Sequence, residues 1–243
     1  MSSTYLELVN KIARQYNEVE LTSANFPDAI GVYNAMKDGV QFAINHINAQ
    51  DFEWPFNFVE GQTQLLAVGD NFYDFPADFK IVDWNSFYIV KDDSLGVNTS
   101  TLRVINKDEF HRTTKPSDFD AGSDGRSVPR FVFPWGNQAF GITPSPDKAY
   151  TVTYNYWKNP DQLSTYDDTT NIPVQFDHVI VLGAMWYLHM FKENANGTQL
   201  GQKQYMDALK TMRTILINKP ERMTDTRVNF GQRHYSNDYV DEG

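Results

Sequence analysis

The chain has 243 residues, with 31 Asp and Glu against 21 Lys and Arg and a formal net charge of -10. Without a dense basic run this balance disfavours a protein that grips nucleic acid through its phosphates, but it suits a surface past which DNA moves without sticking. The absence of Cys excludes disulfides, thiolate zinc sites and cysteine nucleophiles.

The segment from Met1 to Leu8 is polar, so no signal peptide is expected. A first helix is predicted from Thr4, where Thr4 and Glu7 have the spacing of a capping box. Leu6, Val9, Ala13 and Tyr16 fall on its one face. A second helix is predicted over about Asp28 to Ala49, where Tyr33, Met36, Val40, Ala43, Ile44 and Ile47 recur at helical spacing. Pro55 ends the helical pattern, and Phe52, Trp54, Phe56 and Phe58 alternate as on a strand.

From Val59 to Lys158, runs of Val, Ile, Tyr, Phe and Thr alternate with turn residues. Strands are predicted at about Thr63–Val68, Phe72–Phe75, Ile81–Val90, Thr101–Ile105, Arg130–Phe133, Ala139–Thr143 and Tyr150–Trp157. A short helical turn is predicted over Asn106 to Arg112, and the polar stretch Thr113 to Ser127 reads as a loop. After Pro173 a third long helix is predicted to Glu193. It is apolar almost all round, so it must be buried on most sides. Asn194 to Gly197 reads as a break before a fourth helix striped by Tyr205, Leu209, Met212 and Leu216, which Pro220 stops. The longest apolar run, Val179 to Leu188, is about half of what spans a bilayer. The tail beyond carries scattered aromatics Phe230, Tyr235 and Tyr239, a pattern that suits docking onto a partner.

The fold class expected is α+β. A four-helix bundle-like core from both chain ends (1–58 and 172–219) carries an inserted antiparallel β-rich domain (59–171) and an extended C-terminal tail (220–243).

The search for chemistry returns weak candidates. The acidic stretch Asp118 to Gly125 spaces carboxylates somewhat like a calcium loop, but its glycine falls too late and no Glu closes it. His178 and His189 are eleven residues apart, too far along one helix to share a metal. Asp92-Asp93 and Asp167-Asp168 sit in polar turns, where water keeps carboxylates ionised rather than poised as a glycosidase acid. No nucleophile elbow, Walker loop or dinucleotide fingerprint occurs. No catalytic residue, cofactor or metal is expected.

Several segments, taken in order, resemble the head-to-tail adaptor family of tailed phages, particularly the tail tubular protein A group of short-tailed phages. They are Tyr5-Leu-Glu-Leu-Val-Asn-Lys, Glu18-Val-Glu-Leu, Ile44-Asn-His-Ile-Asn, Trp54-Pro-Phe-Asn57, Tyr73-Asp-Phe-Pro-Ala-Asp-Phe79 and the strand with Trp84. Pro146 to Tyr154, Trp157-Lys158, Ile172-Pro173 and Gly183-Ala-Met-Trp-Tyr187 complete the pattern. The resemblance implies a non-enzymatic virion protein at the head–tail junction, assembled in the host cytoplasm. It further implies a homo-oligomeric ring, usually of about twelve copies, between the portal protein and the tail nozzle. On this reading tail fibres are candidate further partners, DNA is expected to pass the bore without specific binding, and no membrane is expected. The residues expected at interfaces are Trp186 and Tyr187 on the apolar helix and Phe230, Tyr235 and Tyr239 in the tail. The alternative is a tail-associated binding module for fibres or carbohydrate, with Trp84 or Trp135 stacking on sugar; a polysaccharide-cleaving enzyme would rest on the acidic pairs alone.

Overall fold

A computed structural model describes residues 2–51, 53–93, 96–113 and 125–217. Among them the chain forms a mixed α+β fold with five helices and two four-stranded sheets. The expected loop at 113–127 and the tail from 218 lie almost wholly outside the described residues.

Helix α1 (Tyr5–Gln15) starts at the predicted capping box: the Glu7 amide donates to Thr4 Oγ1 at 3.2 Å and the Thr4 amide to Glu7 Oε2 at 3.0 Å. Two further amides of its first turn, Tyr5 and Leu6, donate to the carbonyls of Asp168 (2.8 Å) and Tyr166 (3.1 Å). The start of the chain is thereby tied to a turn more than 160 residues downstream. That turn is held by Asp168, whose carboxylate accepts from the amides and hydroxyls of both Ser164 and Thr165. The Thr165 hydroxyl, then the amides of Thr165 and Ser164, hold Asp168 well below the usual carboxylate range.

Helix α2 (Val32–Gln50) begins later than its periodicity predicts. Gly31 precedes it at φ +65°, a left-handed conformation that cannot continue a right-handed helix. Of the alternating aromatics after α2, Phe58 opens a strand, Phe52 lies outside the described residues, and Trp54 and Phe56 are not on a strand. Pro55–Asn57 is a 3-10 turn, and Trp54 is fully buried with its indole N–H donating to the Ile47 carbonyl at 2.8 Å. A helix end leaves carbonyls without partners, and an indole satisfies one while filling apolar space.

The sheets follow. β1 (Phe58–Leu66), β3 (Phe79–Asp93), β4 (Gly96–Thr101) and β8 (Tyr150–Lys158) form one sheet in the order β1-β8-β3-β4. β2 (Phe72–Asp74), β5 (Arg103–Val104), β6 (Phe131–Trp135) and β7 (Ala139–Thr143) form the other, ordered β2-β7-β6-β5. The single strand predicted at 101–105 is in fact two. The chain changes sheets at Leu102, which is buried and whose amide donates to the Phe87 carbonyl at 2.9 Å. The sheets share a core in which Phe140 of β7 lies 5.3 Å from Phe87 of β3 and 5.6 Å from Tyr154 of β8. Helix α3 (Lys107–Thr113) follows Asn106, whose side chain accepts from the Glu109 amide.

Helices α4 (Asp177–Phe191) and α5 (Ala195–Leu216) complete the fold. The expected break between them is present but falls earlier, at Lys192 to Asn194, where Glu193 has a left-handed φ of 54°; the Asn194 side chain caps α5 by accepting from the Gly197 amide at 3.0 Å, so the glycine lies inside the first turn. The buried apolar residues of α1, α2, α4 and α5 form one cluster, with α4 against each of the other three. Two small residues permit the close approach. A Cβ on Gly183 would lie 2.8 Å from Ala43 Cβ and 2.9 Å from the Tyr205 ring, and Gly39 backs onto Ala184. The helical layer is fastened to the sheets by Lys80 of β3, whose ammonium donates to the Asn48 and Asp51 carbonyls at the end of α2. A cation at a helix C-terminus also meets the negative end of the dipole. Arg213 of α5 pairs with Asp51 at 3.0 Å from the other side.

Gly183→Ala is expected to destabilise the protein by about 1–3 kcal/mol, since neither Ala43 nor the packed Tyr205 can yield freely. Urea denaturation of the variant beside the parent checks this.

Candidate protein interaction surface

The two described interface candidates, Trp186 and Tyr187, lie side by side on α4 and are both half-buried. They belong to an aromatic cluster built by three helices. Phe42 of α2 packs 5.5 Å from Trp186 and 5.3 Å from Tyr187. His46, one turn on from Phe42, lies 5.6 Å from Trp186 and 5.3 Å from Tyr205 of α5. Trp186 stacks on Tyr205 at 5.6 Å. Such ring pairs each contribute about 0.5–1.5 kcal/mol beyond the area they bury, so the cluster is a rigid platform.

Polar groups fix its geometry. His46 Nδ1 is 2.8 Å from the Tyr205 hydroxyl. Burial pushes the Tyr205 phenol up and the His46 imidazolium down from their ordinary ranges. The Trp186 indole nitrogen is covered and has no hydrogen-bond partner among the described residues.

The same side of α4 continues outward through exposed apolar residues. Met190 is 39% and Phe191 61% exposed, with Phe191 one turn beyond Tyr187. Phe191 is a large ring with most of its surface in water, beside half-buried aromatics anchored from beneath. Interfaces are enriched in this kind of residue, and their energy concentrates in such anchors. The sequence does not mark Phe42 or His46 as interface residues, although their i, i+4 spacing on α2 places them on one face. The apolar spacing of α5 identifies Tyr205 only as part of a core stripe. The remaining interface candidates, Phe230, Tyr235 and Tyr239, lie outside the described residues.

The other sequence candidates resolve as structure. Trp84 stacks on Phe87 at 5.6 Å and packs against the sheet core. Trp135 has the Phe72 ring 4.4 Å away and the Lys107 ammonium 4.7 Å from its centroid. Protein groups thus occupy the ring surface that a sugar would need. Asp168 is engaged by four donors, and the first of these lower its pKa, the reverse of what a glycosidase acid requires. Asp92 and Asp93 lie on β3 opposite Val97 and Gly96 of β4. His189 approaches the Tyr16 hydroxyl at 3.4 Å, and His178 sits on the exposed first turn of α4. Among the described residues no group of three His, Asp or Glu gathers to hold a metal, and no helix is long and apolar enough to cross a membrane. The acidic stretch from Asp118 to Asp124 lies outside the described residues.

Compared with known proteins, the chain matches the family model described as SU10 adaptor protein over residues 3–231. No curated protein matches it.

Because burial lowers the folded-state pKa of His46, the unfolded chain binds its proton more readily, and stability falls as pH drops through and below about 6.5. His46→Gln is expected to flatten this fall, so melting temperatures of parent and variant converge from pH 7.5 to pH 5. Thermal melts across that range check it.

Proposed function

The chain belongs to the SU10 adaptor protein family, a family of phage structural adaptors, and from that premise we propose that it is the subunit of a connector ring of about twelve copies. The ring joins the portal to the tail nozzle and forms part of the channel that DNA crosses. The observation that carries the reading is the family match over residues 3–231, nearly the whole chain, with both the helical layer and the sheets inside it. Net acidity is the sign of charge that a DNA conduit favours, because phosphates pass it without being held.

The division of labour follows the architecture. The four helices that share a core act as a bundle-like ring body, residues 1–58 with 172–219. The β-rich region, 59–171, projects as a domain toward nozzle or fibres. Residues 220–243 reach the portal. Lateral contact between copies uses the patch at Phe42, Trp186, Tyr187 and Phe191, because it alone among the described residues of the helical layer combines an exposed large ring with a buttressed aromatic base. A closed ring needs a heterologous contact, so this patch meets a different surface on the next copy.

Two measurements test the reading. Negative-stain microscopy of the protein mixed with a portal should show rings stacked on the portal; particles that stay single subunits would sink it. Tyr187→Asp with Phe191→Asp should lower the ring fraction at least tenfold, given about 2 kcal/mol for a central interface aromatic, with the far-ultraviolet circular dichroism spectrum unchanged. Separately, deletion of residues 221–243 should abolish portal binding in a pull-down while the helices and sheets still melt cooperatively.

A further inference from the structure

A groove of about 540 Å³ runs between α1 and the beginning of α4. Arg14 and Gln15 of α1 form one wall, and Val174, Val181 and Leu182 give the other an apolar surface. Val174 is 51% exposed, a large aliphatic side chain in water at the mouth. Asp177 lies at the base and is only 5% exposed. Its Oδ2 accepts from the Ser3 hydroxyl and the Lys11 ammonium, but its Oδ1 has no donor among the described residues. A covered acceptor left unmet is unfavourable, so the base of the groove favours an occupant that brings a donor.

The other end of α4 carries the complement. Tyr187, Met190 and Phe191 form an apolar ridge there, and Leu200, next to the Gly201 that packs on Trp186, is 59% exposed. The Tyr187 hydroxyl makes no hydrogen bond among the described residues, and its O–H is the kind of donor that Asp177 Oδ1 lacks. Just past the helix, the exposed Glu193 carboxylate has no partner among the described residues either. Its neighbour Lys192 is engaged over the Tyr16 ring at 4.4 Å, which leaves Glu193 as the uncommitted charge at this end. In the groove Lys11 and Asp177 satisfy each other. Arg14 is the available cation there, because its ion pair with Glu20 is exposed on both sides (57% and 49%) and readily exchanged. Ridge and groove thus match in apolar surface, in charge and in one donor for one acceptor.

Their placement decides which molecule brings them together. At 3.6 residues per turn, the groove residues Asp177, His178 and Val181 and the ridge residues Trp186, Tyr187 and Met190 are centred about half a turn apart around α4. They also lie at opposite ends of a helix about 22 Å long. A chain therefore cannot lay its ridge in its own groove, but it can lay it in the groove of another copy. Two complementary surfaces on opposite sides are what a heterologous contact requires, since each copy then receives one neighbour and engages the next.

We propose that the groove between α1 and α4 receives the ridge at residues 187–191 of the neighbouring copy. This rests on the reading of that ridge as the lateral contact of a ring, and it names the other half of the contact. Phe191 and Met190 cover the apolar wall, the Tyr187 O–H is directed to the base at Asp177, and Glu193 takes Arg14 over from Glu20.

The chain has no Cys, so single cysteines report the contact directly in the full-length protein. Gln15→Cys copies, with the thiol on the exposed groove wall, are mixed with Met190→Cys copies and a portal under mild oxidation. They should form mixed disulfides about tenfold faster than Thr63→Cys copies, altered at an exposed residue of β1, mixed with the same Met190→Cys copies. Mass spectrometry of the linked peptides counts the mixed links. Arg14→Glu and Glu193→Arg should each lower the ring fraction in sedimentation about tenfold, and the two in one chain should restore it to within about twofold of the parent. Rings that form while the two mixtures cross-link at equal rates, or a double variant no better than the single ones, would overturn the groove and leave the ring standing. Copies that stay single throughout would overturn both. Groove cross-links in open chains would uphold this contact and sink ring closure.

Discussion

Helix α4 has almost no polar face, and the helical layer is organised by that fact. A helix that is apolar all round cannot lie on a surface with one side in water. It has to be covered from several directions, and here α1, α2 and α5 cover it. Covering it so closely needs small residues at the crossings, which Gly183 against Ala43 and Tyr205 and Gly39 against Ala184 provide. The requirement also explains why elements from both ends of the sequence meet. A single neighbouring helix, however long, covers only one side of α4, so α1 and α2 return to it across the whole β region.

That meeting is secured by polar joints where apolar packing alone would leave the elements free to slide. The first turn of α1 is capped partly by its own Thr4 and Glu7 and partly by carbonyls of Tyr166 and Asp168. The Asp168 turn is in turn rigid because one carboxylate collects four donors. At the opposite junction Lys80 and Arg213 converge on the end of α2, from a strand and from a helix. Burial lowers the Lys80 pKa while Asp51 opposes that shift, so the ammonium is held in place by carbonyls and a carboxylate together. Helical layer and sheets are thus joined at defined points.

What remains exposed follows from the same packing. The aromatic rings of Trp186 and Tyr205 are stacked under Phe42 and beside His46, and the helix then runs out into solvent at Met190 and Phe191. A rigid base under an exposed ring loses little entropy on binding, which is the property of an interface anchor. The chain belongs to the SU10 adaptor protein family, a family of phage structural adaptors, and a surface of that kind is where the proposed contact between copies is placed.

The α1 capping box, the four long helices, most strands and the burial of α4 were legible in the sequence, because each rests on local spacing: a 3.6-residue apolar period, alternation in β8, a hydroxyl three residues before a carboxylate. Family membership was legible as well, from the order of short segments along the chain. Tertiary structure alone decided the rest. Trp54 and Phe56 alternate like a strand yet form a turn, because the end of α2 needed a donor and its core needed a ring. Gly31 delayed α2 through a left-handed backbone that no periodicity reports. Residues 101–105 split between two sheets because Leu102 is buried where the chain crosses from one to the other. The patch at Phe42, Trp186, Tyr187 and Phe191 joins residues nearly 150 positions apart. Its composition depends on which faces of α2, α4 and α5 pack together, and spacing along one helix cannot contain that information.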